Sequence, residues 1–217
     1  MERPVCVTDP VRIAVIDSGA HPGHPHIVAS RLLPGVAILA DGTIEQGEGV
    51  TLDRVGHGTA VTAAIQELAP DALILPIRVF RDGLRASPRA LIAALDWASA
   101  QGADFCNLSL GTTNPAHADH FAAAVARSPA RIVAPRTAAD DAPCWPGMLA
   151  GVIAVGLDWD VSRGTALLGA DGVHYASGYP RPIEGVPQQR NLHGISFATA
   201  QVTGLAAAGQ LQLGRAP

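Results

Sequence analysis

An α/β fold is predicted: a mostly parallel sheet as the middle of three layers, with helices on both faces. Three observations point to it. Short apolar runs rich in valine and isoleucine alternate with segments whose apolar residues recur at helical spacing. A helix-length stretch separates successive runs, as a crossover between parallel strands requires. The chain has 217 residues, 48% of them hydrophobic, which reads as one domain over residues 1–217 with material for a sizeable core.

The elements follow in order. Ile13-Ala14-Val15-Ile16 reads as a buried strand that stops at Asp17-Ser18-Gly19. His57-Gly58-Thr59 opens a helix, because Ala60, Val61, Ala64, Ile65 and Leu68 then fall on one face. Ala69-Pro70 ends it, and Leu73-Ile74-Leu75-Pro76-Ile77-Arg78-Val79 forms the next buried strand. A helix is expected over residues 90–98. Ala103-Asp104-Phe105-Cys106-Asn107-Leu108 is a strand running into Ser109-Leu110-Gly111. Arg131-Ile132-Val133-Ala134 and Val152-Ile153-Ala154-Val155-Gly156 continue the sheet. Residues 179–187 are proline-rich and aperiodic, a loop that either connects elements or walls the leaving-group side of a cleft. The last helix starts at Gly194-Ile195-Ser196-Phe197-Ala198-Thr199.

Three of these segments place reactive side chains at strand ends or helix starts, where α/β sheets build their sites. Serine is a poor nucleophile until an imidazole takes its proton, and the imidazole needs a carboxylate to fix its tautomer and stabilise its charge. Asp17, His57 and Ser196 supply that set. Ser196 also begins a helix, whose free N–H groups favour developing negative charge.

The contexts Ile16-Asp17-Ser18-Gly19, His57-Gly58-Thr59 and Gly194-Ile195-Ser196, in the order Asp, His, Ser, resemble the subtilisin-like serine proteases. His24-Pro25, Ser109-Leu110-Gly111 and Trp145-Pro146-Gly147 extend the resemblance along nearly the whole chain. It implies the three-layer subtilisin-like fold, with Ser196 as nucleophile, His57 as base and Asp17 orienting His57. It also implies that Ser109, Leu110 and Gly111 present a backbone edge to an extended peptide, with Gly83 as a second wall.

The chain departs from the family's Gly-Thr-Ser-Met-Ala-Thr-Pro at Ile195, Phe197 and Ala200. It departs further at the oxyanion hole. Relatives carry an asparagine after the strand that matches residues 131–134, and here Pro135-Arg136-Thr137-Ala138 follows instead. Thr137 is nearest the expected position, and Arg136 is the alternative donor. The backbone N–H of Ser196 with a donor from elsewhere is a third arrangement.

The net charge of −4 gives no argument for nucleic acid or an anionic membrane surface, and no apolar stretch approaches a membrane span. All 15 basic residues are arginine, from which no function is read. Cys6, Cys106 and Cys144 lack metal-type spacing and suit a reducing compartment. Met1-Glu2-Arg3-Pro4 carries no secretory signal, and the first strand begins near Val11 with no pro-segment visible. A cytoplasmic location is the resulting expectation.

His21, His24 and His26 invite a zinc assignment, but no cysteine or carboxylate nearby completes a tetrahedral set, so no metal and no cofactor are expected. Nor is calcium expected where the His57 helix runs on to Ala69-Pro70 without an inserted loop. The expected partner is a peptide or protein substrate, with self-association or a partner subunit as an addition. Three functions remain open from the sequence: an endopeptidase, processing one precursor; a binding protein that has kept the fold without useful turnover; and an acyl-transferring ligase or macrocyclase.

Overall fold

A computed structural model describes residues 9–80, 83–138 and 140–211. The N-terminal Met1-Glu2-Arg3-Pro4 segment, Cys6, Arg81, Asp82 and Pro217 lie outside the described residues. Among the described residues, nine strands form one sheet in the order β3-β2-β4-β1-β5-β6-β7-β9-β8. The strands are β1 (Arg12–Asp17), β2 (Val36–Ile38), β3 (Ile44–Glu45), β4 (Leu73–Arg78), β5 (Phe105–Leu108), β6 (Arg131–Pro135), β7 (Ile153–Leu157), β8 (Ala166–Leu168) and β9 (His174–Ala176). The interior pairings are parallel, and antiparallel pairs β2/β3 and β8/β9 close the two edges. The mostly parallel three-layer α/β fold is the one predicted.

Among the described residues, four α-helices cover the sheet: α1 (His57–Leu68), α2 (Pro88–Ala100), α3 (Ala118–Arg127) and α4 (Ile195–Ala207). The pleat of β1 sorts the core into two halves. Ala14 and Ile16 face Leu91, Ala94 and Leu95 of α2 and Phe121 of α3. Ile13 and Val15 face Val61, Ala64 and Ile65 of α1 and Phe197, Ala198 and Val202 of α4. Strands buried on both faces read as continuous apolar runs, which is why β1, β4 and β5 were legible.

Helix α2 begins earlier than the periodicity predicts. Pro88 takes its first turn and the Ser87 hydroxyl accepts the Ala90 N–H at 3.0 Å, a capped start that adds residues before the apolar stripe. Helices α1 and α4 lie side by side in parallel, so their N-termini meet at one end of the sheet. Gly204 permits this: a Cβ there would sit 2.8 Å from Cβ of Leu68 and 3.2 Å from the Ile65 carbonyl oxygen.

Candidate active site

Asp17 is the last residue of β1 and is fully buried. Its Oδ1 accepts two hydrogen bonds, from the Ser18 N–H at 2.8 Å and from His57 Nδ1 at 2.7 Å. An ionised carboxylate only accepts, so the imidazole proton lies on Nδ1 and the lone pair of Nε2 is free to take a proton. Close approach of the two elements depends on Gly58, where a Cβ would fall 2.3 Å from the Gly19 carbonyl oxygen and 3.1 Å from Asp17 Oδ1. The Gly58 N–H donates to Ser18 Oγ at 2.8 Å, tying the first turn of α1 to the end of β1.

The imidazole of His57 is held above its ordinary pKa. Burial is the largest influence and pushes it down. The hydrogen bond to Asp17, the charge of Asp17 and the charge of Asp53 together outweigh it.

Asp53 was not singled out from the sequence, yet it organises the approach to His57. Its Oδ1 accepts the N–H groups of Val55 and Gly56, both at 2.8 Å. Its Oδ2 accepts the Thr59 N–H at 2.8 Å and the Thr59 hydroxyl at 2.6 Å. The Thr59 amide in the first turn of α1 and the Gly56 amide just before it are thereby satisfied by a carboxylate, which the helix dipole also favours. The only signal in the sequence is an aspartate shortly before a helix start.

Ser196 is the second residue of α4, and the next residue, Phe197, packs its ring 5.6 Å from that of His57. The structure therefore brings Asp17, His57 and Ser196 to one place. The Ser196 hydroxyl donates to the Ser109 carbonyl at 3.3 Å, and no hydrogen bond joins it to His57 among the described residues. Catalytic hydrogen bonds in unliganded sites are commonly long or misaligned and tighten with substrate bound.

Ser109, Leu110 and Gly111 follow β5, so the predicted peptide-binding edge borders the serine. A buried polar network holds it. Asn107 Nδ2 donates to Ser109 Oγ at 2.8 Å, and the Thr203 hydroxyl of α4 lies 2.9 Å from Asn107 Oδ1. Sequence reasoning placed Asn107 in the strand but could not pair it with a residue 96 positions away. Gly83 lines a cavity with Ile38, Leu39, Ala40 and Val79.

Past β6, Thr137 bridges to Pro143 and the Arg136 backbone bonds both Val155 and Cys144. Arg136 and Thr137 line a cavity of about 690 Å³ together with Gly194 and Ile195, the two residues before Ser196. Asp171 and Tyr175 line the same cavity, and the Tyr175 hydroxyl donates to Asp171 Oδ2 at 3.0 Å.

His21 and His24 each use Nδ1 to accept a backbone N–H, from Gly23 at 3.1 Å and His26 at 3.2 Å. Among the described residues, no group of three or more His, Cys, Asp or Glu side chains is placed to hold a metal ion. None of the described helices is long and apolar enough to cross a membrane.

A model of the subtilase family, peptidase S8, matches residues 8–156. Subtilisin BL from Lederbergia lenta is 29% identical over 216 residues, covering 91% of this chain and 75% of that protein. M-protease from Shouchella clausii (strain KSM-K16) is also 29% identical, and this chain spans about half of it, 53%. Among solved structures, a cold adapted subtilisin-like serine proteinase superposes with a TM-score of 0.67 at 22% identity, covering 92% of this chain and 74% of that one. A lanthipeptide protease superposes with a TM-score of 0.66 at 18% identity, covering 91% and 72%.

These relatives overturn one expectation. The subtilisins that match are secreted enzymes, against the cytoplasmic location inferred from cysteine usage and the N-terminal sequence. A further match is named minor extracellular protease Vpr, from Bacillus subtilis (strain 168), 31% identical over 113 residues. The cysteine argument fails for a physical reason: Cys106 and Cys144 are free and buried, so neither reports the redox state outside the protein.

With the fold, the match over most of its length and the convergence of Asp17, His57 and Ser196 in view, the chain belongs to the subtilase family, as a subtilisin-like serine protease acting on peptide substrates.

Proposed function

We propose that Asp17, His57 and Ser196 are the triad of this protease, and that it processes a specific peptide or protein precursor through an acyl-enzyme. The observation that carries the reading is the 2.7 Å bond from His57 Nδ1 to a buried carboxylate beside the helix start that bears Ser196. His57 Nε2 takes the proton of Ser196 as its Oγ attacks the scissile carbonyl, and returns it to the leaving amine. Water then attacks the acyl-enzyme by the same route in reverse. The acyl half of the substrate lies along residues 109–111 as an added strand.

Thr137 is the side-chain donor to the oxyanion in this reading, with the amides at the start of α4. A hydroxyl in place of the family's amide is a weaker fit for broad digestion and supports a dedicated substrate.

The low-turnover binding protein is the second reading, favoured by the engagement of the Ser196 hydroxyl with Ser109. Self-association is supported by Leu167 and Leu168, exposed on edge strand β8, and sedimentation analysis would test it. Product masses from a peptide library, compared between the wild type and Ser196→Ala, test the function. Hydrolysis adds one water to the sum of the fragments, and cyclised products carry none. Absence of any Ser196-dependent product supports the binding reading.

A further inference from the structure

A cavity of about 370 Å³ opens beside the first turns of α1. Its walls come from the loop after β1, from α1 and the segment before it, and from the proline-rich loop that leads to α4. No residue of β5, β6 or the segments that follow them lines it. Its apolar lining comes from Ala60 and Ala63 of α1 and from Ile183 and Leu192, both exposed. Its polar wall is different in kind. Arg54 and Arg181 stand there, and neither has a carboxylate partner among the described residues. Among the described residues, the Arg181 guanidinium donates one hydrogen bond, to the His26 carbonyl at 3.4 Å.

The imidazoles of His21 and His24 also border the cavity. Each accepts a backbone N–H at Nδ1, so its own ring proton sits on Nε2. The carboxylate of Asp53 lies in the wall too, but both its oxygens are committed to donors from Val55, Gly56 and Thr59. What the cavity offers a guest is therefore apolar side chains and a set of N–H donors, with the two arginine charges set against the one carboxylate of Asp53, whose oxygens are already occupied. An acceptor-only group on a short aliphatic stem matches both surfaces.

We propose that this cavity recognises an acidic side chain, aspartate or glutamate, on the leaving-group side of the scissile bond, with Arg54 and Arg181 as its cationic contacts. The proposal rests on the reading of Ser196, His57 and Asp17 as the triad. The acyl half of a peptide lies along residues 109–111 at the end of β5. The departing half takes its proton from His57, so it leaves past the imidazole. Gly56, Thr59 and Ala60, which flank His57 in the chain, line this cavity, as do Asn191 and Leu192 shortly before Ser196. The loop with Arg181, otherwise a connector, thereby acquires a role in choosing substrates.

The test is a peptide library carrying matched Glu/Gln and Asp/Asn pairs at each of the first three leaving-group positions, with cleavage read by mass. The acidic peptide is expected to show about tenfold higher kcat/KM than its amide counterpart at one position, the scale of one charge-assisted contact at a partly exposed site. That ratio falls to near one in the Arg54→Gln/Arg181→Gln double variant and is partly restored by Arg→Lys at the same positions. A ratio near one in the wild type at all three positions overturns the proposal, as does a ratio unchanged in the double variant.

If the wild type cleaves nothing, the reading of Ser196 fails first, and binding decides the cavity on its own. Ser196→Ala protein is then titrated with Ala-Glu-Ala-amide and Ala-Gln-Ala-amide. Tighter binding of the glutamyl peptide that is lost in the arginine double variant supports the site, and equal binding overturns it.

Discussion

Asp17→Asn separates the two things a triad carboxylate does, orienting the imidazole and stabilising its charge. In many sites asparagine confounds them by flipping the tautomer. Here the geometry keeps them apart, because one oxygen, Oδ1, accepts both from Ser18 and from His57. An asparagine with its amide oxygen in that place serves both donors, and the reverse orientation would set an NH₂ against two N–H groups. The amide nitrogen then occupies the position of Oδ2, which is buried and has no hydrogen-bond partner, at a stability cost of ~1–3 kcal/mol.

Orientation survives, so the kinetic loss is the missing charge. For charge centres roughly 4 Å apart, an effective dielectric near 20 gives ~4 kcal/mol. That corresponds to ~10³ in kcat/KM. The pH profile carries a second signature. In the wild type, Asp17 and Asp53 hold the His57 pKa above its ordinary value against burial. Activity therefore rises as the pH passes a midpoint above the ordinary imidazole range, as the base deprotonates. With Asp17 neutral, burial gains weight and the limb moves to lower pH. The assay is kcat/KM against pH for a fluorogenic peptide, with active sites titrated by a fluorophosphonate. A loss below tenfold, or an acid limb that stays in place, would refute the reasoning.

Further expectations follow from the same geometry. Thr137→Ala should lower kcat with little change in KM, by about 10–10², less than the ~10²–10³ seen when subtilisin loses its asparagine donor; steady-state kinetics decide it. Asp53→Ala should destabilise the fold by ~1–3 kcal/mol, because the amides of Val55, Gly56 and Thr59 lose their acceptor. The sign with pH is fixed. Burial raises the Asp53 pKa, but its hydrogen bonds prevail and hold it below the ordinary carboxylate range. Its contribution is thus present above that range and lost as the pH falls through the depressed value, so denaturation curves of variant and wild type should converge in acid. Burial pushes the Cys106 thiol up to about 12 and that of Cys144 up to about 11. Neither should react with iodoacetamide at pH 8 in the folded protein, and both should on unfolding, as peptide masses will show.

The legible parts of this protein are those in which physics acts locally. Strand β1 is recognisable because burial on both faces demands an unbroken apolar run, and Asp17 because it ends that run. His57 is legible because it opens a helix whose apolar stripe faces the core, and Ser196 because of the Gly194-Ile195-Ser196 context that opens the last helix. Contacts between distant segments were not. Thr203 meets Asn107 across 96 positions of sequence, and the cavity with Arg54 and Arg181 is assembled from three separate stretches. Each residue alone reads as an ordinary polar residue, and only the fold supplies its partner.

The central claim is that Ser196 is an activated nucleophile, and fluorophosphonate labelling with the adduct located by peptide mass tests it most directly. The account expects a single adduct on Ser196, abolished in Ser196→Ala and slowed about as strongly in Asp17→Asn as peptide hydrolysis is. Folded protein that takes no label, or takes it at another residue, would contradict it.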